Sequence, residues 1–339
     1  MLQENFIPKI MVIGIGGGGS NAINAIQESG LTEIMFVTVD TDVQDLNKSL
    51  ADIKFQLGEK LTKGKGTGVD PMVGREAAKE DIERIRKLLE GVNMLFITTG
   101  MGGGTGTGAS PIIAEVAKEL DILTVALVTK PFSFEGKKRV DNAKLGIQNL
   151  QNIVDSIIVL PNDKLFGLSD KKISMKDAFN EANNILRIGI KGITDLIMRP
   201  GLVGLDFGDI TTIVKNSGYT VLGFGEGKGE NRAVEAAKKA LQSPLMERDM
   251  LGAGKILLNI AGNESVELDE VGKIVDIIAS GFGKEPEEVM FGITLDNKLG
   301  DKLQITLIAN NFAEVYSEPE KQTNTKSSDN SPWGFLNRK

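Results

Sequence analysis

Two glycine clusters are the first residues in this chain whose types and spacing could do chemistry. Gly14-Ile15-Gly16-Gly17-Gly18-Gly19-Ser20-Asn21 follows a short apolar run that begins near Lys9, and it opens onto a helical pattern. Glycines let a backbone approach a phosphate closely, and a helix N-terminus offers free N–H groups and the positive end of a dipole. The run contains Gly14-x-Gly16-x-x-Gly19, and Asp40 lies 21 residues further on, where a ribose-binding acid of a dinucleotide site would sit. A plain strand-to-helix turn would carry the same pattern. The second cluster, Gly100-Met101-Gly102-Gly103-Gly104-Thr105-Gly106-Thr107-Gly108, has six glycines in nine positions between a strand and a helix. Such a run costs folding entropy, and a flexible linker has no purpose between two buried elements. It reads as a second phosphate cradle with the Thr105 and Thr107 hydroxyls as added donors. It is not a P-loop, because no Gly-Lys-Ser/Thr closes it.

A third constellation is Asp206 and Asp209, three residues apart on a glycine-containing loop. Two such acids are often just solvated, or cap a helix. The chain has no cysteine and no histidine, which excludes disulfides, thiolate sites, Ser-His-Asp triads and the commonest general base. Any chemistry must use carboxylates, amides, hydroxyls, Lys/Arg, backbone N–H groups or a bound ion. The net charge of −7 argues against nucleic-acid binding, which needs a basic footprint. No stretch approaches the roughly 20 apolar residues of a membrane span. Residues 1–10 lack a charged-then-apolar leader pattern, so the expected location is cytoplasmic, without direct membrane insertion.

The elements that must position these residues follow from periodicity. Strands are expected at 9–15, 34–39, 94–98, 123–128 and 157–160, and helices at 21–29, 81–89 and 111–120. Alternating strands and helices predict an α/β, Rossmann-like parallel sheet over residues 9–173. Ser174 to Met198 reads as one long helix, with Met175, Ala178, Phe179, Ala182, Leu186, Ile190, Ile193 and Ile197 at spacings of three or four. Beyond it, strands at 221–224, 256–260, 289–295 and 303–309 and helices at 232–241 and 269–279 predict a second, α+β domain, within 199–312. Residues 313–328 form a polar linker expected to be disordered. The last segment, 329–339, holds the only tryptophan, Trp333, beside Phe335 and Leu336, and reads as a partner-binding peptide.

The second glycine cluster resembles the signature of the tubulin/FtsZ superfamily. Thr129-Lys130-Pro131-Phe132, Phe134-Glu135-Gly136, Arg139, Pro161-Asn162-Asp163-Lys164-Leu165, Arg199-Pro200-Gly201-Leu202 and Leu205-Asp206-Phe207-Gly208-Asp209 look like the FtsZ branch rather than eukaryotic tubulin. The similarity runs over about residues 9–312. It implies a GTPase that binds GTP or GDP with Mg²⁺ and forms a head-to-tail homopolymer at the division site. It implies that Gly17, Gly18, Gly19, Ser20 and Asn21 wrap the phosphates. Gly103, Gly104, Thr105, Gly106 and Thr107 would hold the β/γ end, with Asp42 beside them. Glu135 and Arg139 would take the ribose and phosphate side, and Phe179 and Asn183 the guanine. Asp206 and Asp209 would act in trans, and the C-terminal peptide would bind membrane-linked division adaptors.

A length argument agrees. From Asn183 to Met198 a straight helix runs roughly 22 Å at about 1.5 Å per residue. If Asn183 touches the base, the two aspartates can reach only another subunit's nucleotide. Two positions depart from the family pattern. Gly204 stands where an asparagine is usual, and Asp40 replaces the asparagine of an Asn-Thr-Asp turn. Both bear on the GTPase rate. The competing readings are a paralogue filament without a division role and an NAD-dependent oxidoreductase.

Overall fold

The computed structural model describes residues 6–28, 31, 34–167, 174–199, 201–243, 252–283 and 286–312. The linker and the C-terminal peptide lie outside the described residues.

The first half alternates strand and helix. β1 (Ile10–Ile15), β2 (Met35–Asp40), β3 (Ile53–Gln56), β4 (Met94–Gly100), β5 (Leu123–Lys130) and β6 (Ser156–Pro161) form a parallel array in the order β3-β2-β1-β4-β5-β6. Side chains alternate across a strand. In β1, Ile10 and Val12 enter the core on one face, while Met11, Ile13 and Ile15 enter the core on the other. Burial on both faces explains why β1 reads as a continuous apolar run.

α1 (Gly16–Gln27), α2 (Val43–Lys48), α3 (Glu59–Thr62), α4 (Pro71–Glu80), α5 (Ile82–Leu89), α6 (Thr105–Glu119) and α7 (Lys137–Gln151) complete this half. α1 packs on the face of Ile10 and Val12, and α4 to α7 on the other. Both glycine-led helices begin earlier than periodicity predicts. α1 starts at Gly16 rather than near Asn21, and α6 at Thr105 rather than at 109–111. Glycine is a poor helix former, so propensity hides these starts. Packing imposes them: a Cβ on Gly19 would sit 2.6 Å from the Gly14 carbonyl carbon and 2.7 Å from the Thr98 carbonyl oxygen.

α8 (Met175–Met198) is the predicted long helix, capped at its start by the Ser174 side chain accepting from the Asp177 N–H. Its 24 residues span roughly 36 Å. Its buried stripe includes Ala182, Leu186, Ile190 and Ile193, whereas Met175 and Phe179 are exposed near its N-terminal end. β7 (Gly201–Val203) and α9 (Phe207–Val214) follow.

β8 (Gly218–Lys228), α10 (Arg232–Leu241), β9 (Ala253–Gly262), α11 (Leu268–Gly281), β10 (Glu288–Leu295) and β11 (Lys302–Phe312) form the second half, with strand order β8-β11-β9-β10-β7. This sheet is mixed: β11 runs antiparallel to β8 and β9, while β9 and β10 are parallel. This is the second, α+β domain that the sequence predicts. In the structure β8 also pairs with β6 through Ser156–Gly218, Ile157–Tyr219 and Ile158–Thr220, so one eleven-stranded sheet runs through both halves. α8 belongs to a core that draws on both halves, from Val12 and Phe96 to Leu257 and Ile308. No helix among the described residues is long and apolar enough to cross a membrane.

Candidate functional site

The helices α1 and α6 follow the C-terminal ends of neighbouring parallel strands, β1 and β4, so their N-termini point to one side of the sheet. Ligands of open α/β sheets bind outside the carboxyl ends of the strands. Neither helix has a side-chain cap, and neither carries an acid in its first turn. Two uncapped N-termini therefore present unsatisfied N–H groups and two positive dipole ends to the same space. The turns touch: a Cβ on Gly18 would sit 3.0 Å from the Gly100 nitrogen, and one on Gly16, at φ +71°, 3.1 Å from the Gly106 nitrogen. The Thr41 and Thr105 hydroxyls bridge the β2 turn to α6 at 2.7 Å.

A cleft of about 690 Å³ opens over these turns. Gly17, Gly18 and Asn21 line it from the first turn, and Gly103, Gly104, Thr105 and Gly106 from the second. Asp42 lines it while capping α2 through the Gln44 N–H. Glu135 and Arg139 line another wall and hold each other at 3.4 Å, while the second Glu135 oxygen accepts from the Phe132 N–H at 2.9 Å. Phe179 and Asn183 line it from α8. Phe179 packs edge-on against Phe132, with centroids 5.3 Å apart, yet stays 42% exposed. A half-exposed ring held in place by a neighbouring ring is available for contact with a planar ligand.

Three expected residues do not line the cleft. Gly19 is the contact glycine between α1 and the strands beneath it. Ser20 is buried, and its hydroxyl has no hydrogen-bond partner. Thr107 accepts a hydrogen bond from the Gly102 N–H at 2.9 Å and so braces the second glycine turn from behind. Asp206 and Asp209 are also absent from the lining. They cap α9 reciprocally: Asp206 Oδ1 accepts from the Asp209 N–H at 2.8 Å, and Asp209 Oδ2 from the Asp206 N–H at 2.9 Å.

Sequence reasoning missed a third wall. Lys65, Gly66, Thr67, Gly68 and Val69 line the cleft, and the signal was the alternation Gly64-Lys65-Gly66-Thr67-Gly68. Val69 holds φ +64°, a left-handed backbone that β-branched residues rarely adopt. Asn162 was missed as well; it lines the cleft, is 5% exposed, and its side-chain oxygen has no partner.

Asp40 stands out electrostatically. It is 2% exposed, and burial pushes its carboxyl up to about 6, against two lowering backbone hydrogen bonds from Asp42 and Thr41. A folded-state value above the ordinary one favours the neutral form. That contribution to stability is complete below about pH 4 and is lost as pH rises through about 6. Asp40→Asn is therefore expected to raise the unfolding free energy near neutral pH by up to about 3 kcal/mol, at about 1.4 kcal/mol per pK unit. It should change it little near pH 4; urea unfolding of the ligand-free protein at both pH values checks this.

Residues 9–170 match the family model for the Tubulin/FtsZ family GTPase domain, and residues 218–313 match that for the FtsZ family C-terminal domain. A solved structure of an empty FtsZ dimer from M. jannaschii superposes with a TM-score of 0.85 at 38% identity, covering 91% of this chain and 89% of that one. GDP-bound monomeric CetZ1 from Haloferax volcanii shares the fold, with a TM-score of 0.77 at 22% identity over 89% of this chain and 93% of that one. So does CetZ2 of the same organism in a GTPγS-bound protofilament, with a TM-score of 0.71 at 20% identity over 90% and 94%. A cleft built from two uncapped helix N-termini, on a fold matched along both halves of the chain, makes this protein a GTPase of the tubulin/FtsZ family.

Proposed function

We propose that this protein polymerises head to tail and hydrolyses GTP at sites shared between subunits, as the filament of a cytokinetic ring. The observation that carries this reading is the separation of the acids from the cleft along α8. Asn183 lines the cleft, and Met198 ends the helix some 22 Å further on at about 1.5 Å per residue. Asp206 and Asp209 lie beyond that end and outside the cleft wall. Joining the acid-bearing end of one copy to the cleft of the next is a contact between unlike faces, which repeats into a filament. The apolar side chains Leu202 and Val203, exposed just before the acids, suit such a contact.

In this reading Gly17, Gly18, Gly103, Gly104, Thr105 and Gly106 hold the phosphates by backbone N–H groups, Arg139 adds a cation, and Phe179 and Asn183 hold the base. The neighbour's Asp206 and Asp209 orient and polarise the attacking water. Phosphoryl transfer needs chiefly positioning and charge stabilisation, so a chain without histidine can perform it. Mg²⁺ would neutralise the triphosphate. Among the described residues no group of three acidic side chains is arranged to hold a metal, so the ion would arrive on the phosphate oxygens. The C-terminal peptide would tether the filament to membrane-linked adaptors.

The test is GTP turnover against protein concentration, with light scattering in parallel. Turnover per molecule should vanish below a threshold concentration and rise with assembly. Constant turnover per molecule at high dilution would mean that each chain carries a complete site. Assembly without turnover would favour a slow structural filament, with Gly204 and Asp40 the first positions to revert.

A further inference from the structure

Asp40 ends β2 with one carboxylate oxygen fixed and the other unmatched. Oδ1 accepts from the Thr41 N–H at 2.7 Å and the Asp42 N–H at 3.2 Å. Oδ2 is buried without a partner, although the residue forms part of the cleft wall. Turning Oδ2 outward would break both bonds on Oδ1. A buried charged oxygen with no donor is costly, and the cheapest remedy is a proton.

The surroundings offer little else. From its own turn and α2, Asp42 and Asp45 face the same space, and Asp45 adds repulsion. From the 63–69 loop comes Lys65, the charged side chain that segment adds to the wall. From α6 comes the Thr105 hydroxyl, which is shared with Thr41 at 2.7 Å and gives the Asp40 carboxylate a weak favourable contact, outweighed by burial. From the β1–α1 turn come glycines, and after β3 the Leu57 N–H bonds the Asp40 carbonyl. Glu135 and Arg139 stand on another wall, paired with each other. A polyphosphate entering here, its charge only partly offset by Mg²⁺, adds negative charge beside a carboxylate that has no ion-pair partner among the described residues.

We propose that Asp40 couples nucleotide binding to proton uptake: when GTP enters the cleft, Asp40 Oδ2 takes a proton from solvent, and returns it when the nucleotide leaves. The neutral acid replaces a repulsive charge by a hydrogen-bond donor. This rests on the cleft being the GTP site, and it gives the chain a dependence on pH in a range where it has no histidine to titrate.

The experiment is calorimetric titration of the full chain with GTP, near neutral pH, in buffers of different ionisation enthalpy. GTP's own terminal phosphate titrates in this range, so the quantity read is wild type minus Asp40→Asn. Wild type should take up close to one proton more. Its affinity, relative to the variant, should fall by up to about tenfold per pH unit above pH 6, as one-proton linkage requires. Asp45→Asn, which removes a more exposed charge from the same wall, should keep the wild-type uptake. Infrared difference spectra of wild type alone should gain a protonated-carboxyl band on GTP binding, which needs no variant to fold. Equal proton uptake in wild type and Asp40→Asn, or no such band, overturns the proposal while leaving the GTP site intact. Failure of wild type and variant alike to bind GTP overturns the site as well.

Discussion

Asp209→Asn should assemble and bind GTP like wild type and yet hydrolyse it at least 100-fold more slowly, the order expected for losing a positioned acid-base group. Asparagine is the informative choice. Its side-chain oxygen can still accept from the Asp206 N–H, so the α9 cap survives. Alanine would also remove the bond from the Asp206 N–H to this side chain, the N3 half of the capping box, while the Asp206 cap on the backbone N–H of residue 209 stays. Mixing gives the sharper result. If each site takes its acids from the next subunit, Asp209→Asn should poison wild-type turnover in co-assembled filaments. A chain disabled in its cleft but intact at Asp206 and Asp209 should rescue hydrolysis of GTP held by Asp209→Asn. Independent, additive activities on mixing would refute the shared site. Gly204→Asn belongs in the same series: a Cβ there meets nothing within 4 Å, so the first atom of the new side chain has room.

The second large effect separates glycines that build the site from glycines that leave room in it. Gly108→Ala should destabilise the protein by roughly 3 kcal/mol or more, at the upper end of overpacking changes. Its Cβ would run into the Pro71 carbonyl oxygen and sit 2.7 Å from the Arg75 nitrogen, where α6 crosses α4. Both obstacles are backbone and cannot rotate away. The same crossing seats Gly74 against Gly104, with a virtual Cβ 3.0 Å from the Gly104 carbonyl carbon. Displacing α4 would therefore spoil the cradle as well. Gly103→Ala is the counterpart. Its Cβ meets nothing within 4 Å, and the residue lines the cleft. Its thermal stability should stay near wild type while GTP affinity falls at least tenfold. Thermal unfolding with and without GTP measures both. A stable Gly108→Ala protein, or a Gly103→Ala protein with full affinity, would show that these contacts are misassigned.

Much of this was legible in the sequence because the legible parts are short-range. β1 is a buried apolar run, and α8 declares itself by period and by Ser174 at its start. The second glycine cluster reads as a phosphate cradle because a flexible linker has no purpose between two buried elements, whereas the first cluster suits a plain strand-to-helix turn as well. What stayed hidden depends on distant partners. The early starts of α1 and α6 come from tertiary contacts of Gly19 and Gly108, which propensity cannot see. α7 escaped the periodic reading because its buried positions, Ala143, Gly146, Ile147 and Leu150, are few and two of them small. α4 did carry a local signal, Asp70 as cap followed by Pro71. The β6–β8 pairing joins residues about 60 apart, between segments that periodicity assigns to different units. Ser20 and Thr107 matched a motif in type and position, but the structure turns them away from the cleft wall.

The reciprocal bonds between Asp206 and Asp209 have an evolutionary corollary. The two acids answer to two selections at once, one for closing the start of α9 and one for the water they are proposed to activate. A lineage that abandons hydrolysis still needs side chains that accept from these two N–H groups, so both positions stay confined to a few polar residues. Decay of the enzyme would instead surface at neighbours that hold nothing up. Position 204, an exposed glycine with open space where a side chain would stand, is such a neighbour. In descendants of this chain, drift there would record the history of the chemistry while positions 206 and 209 stayed polar.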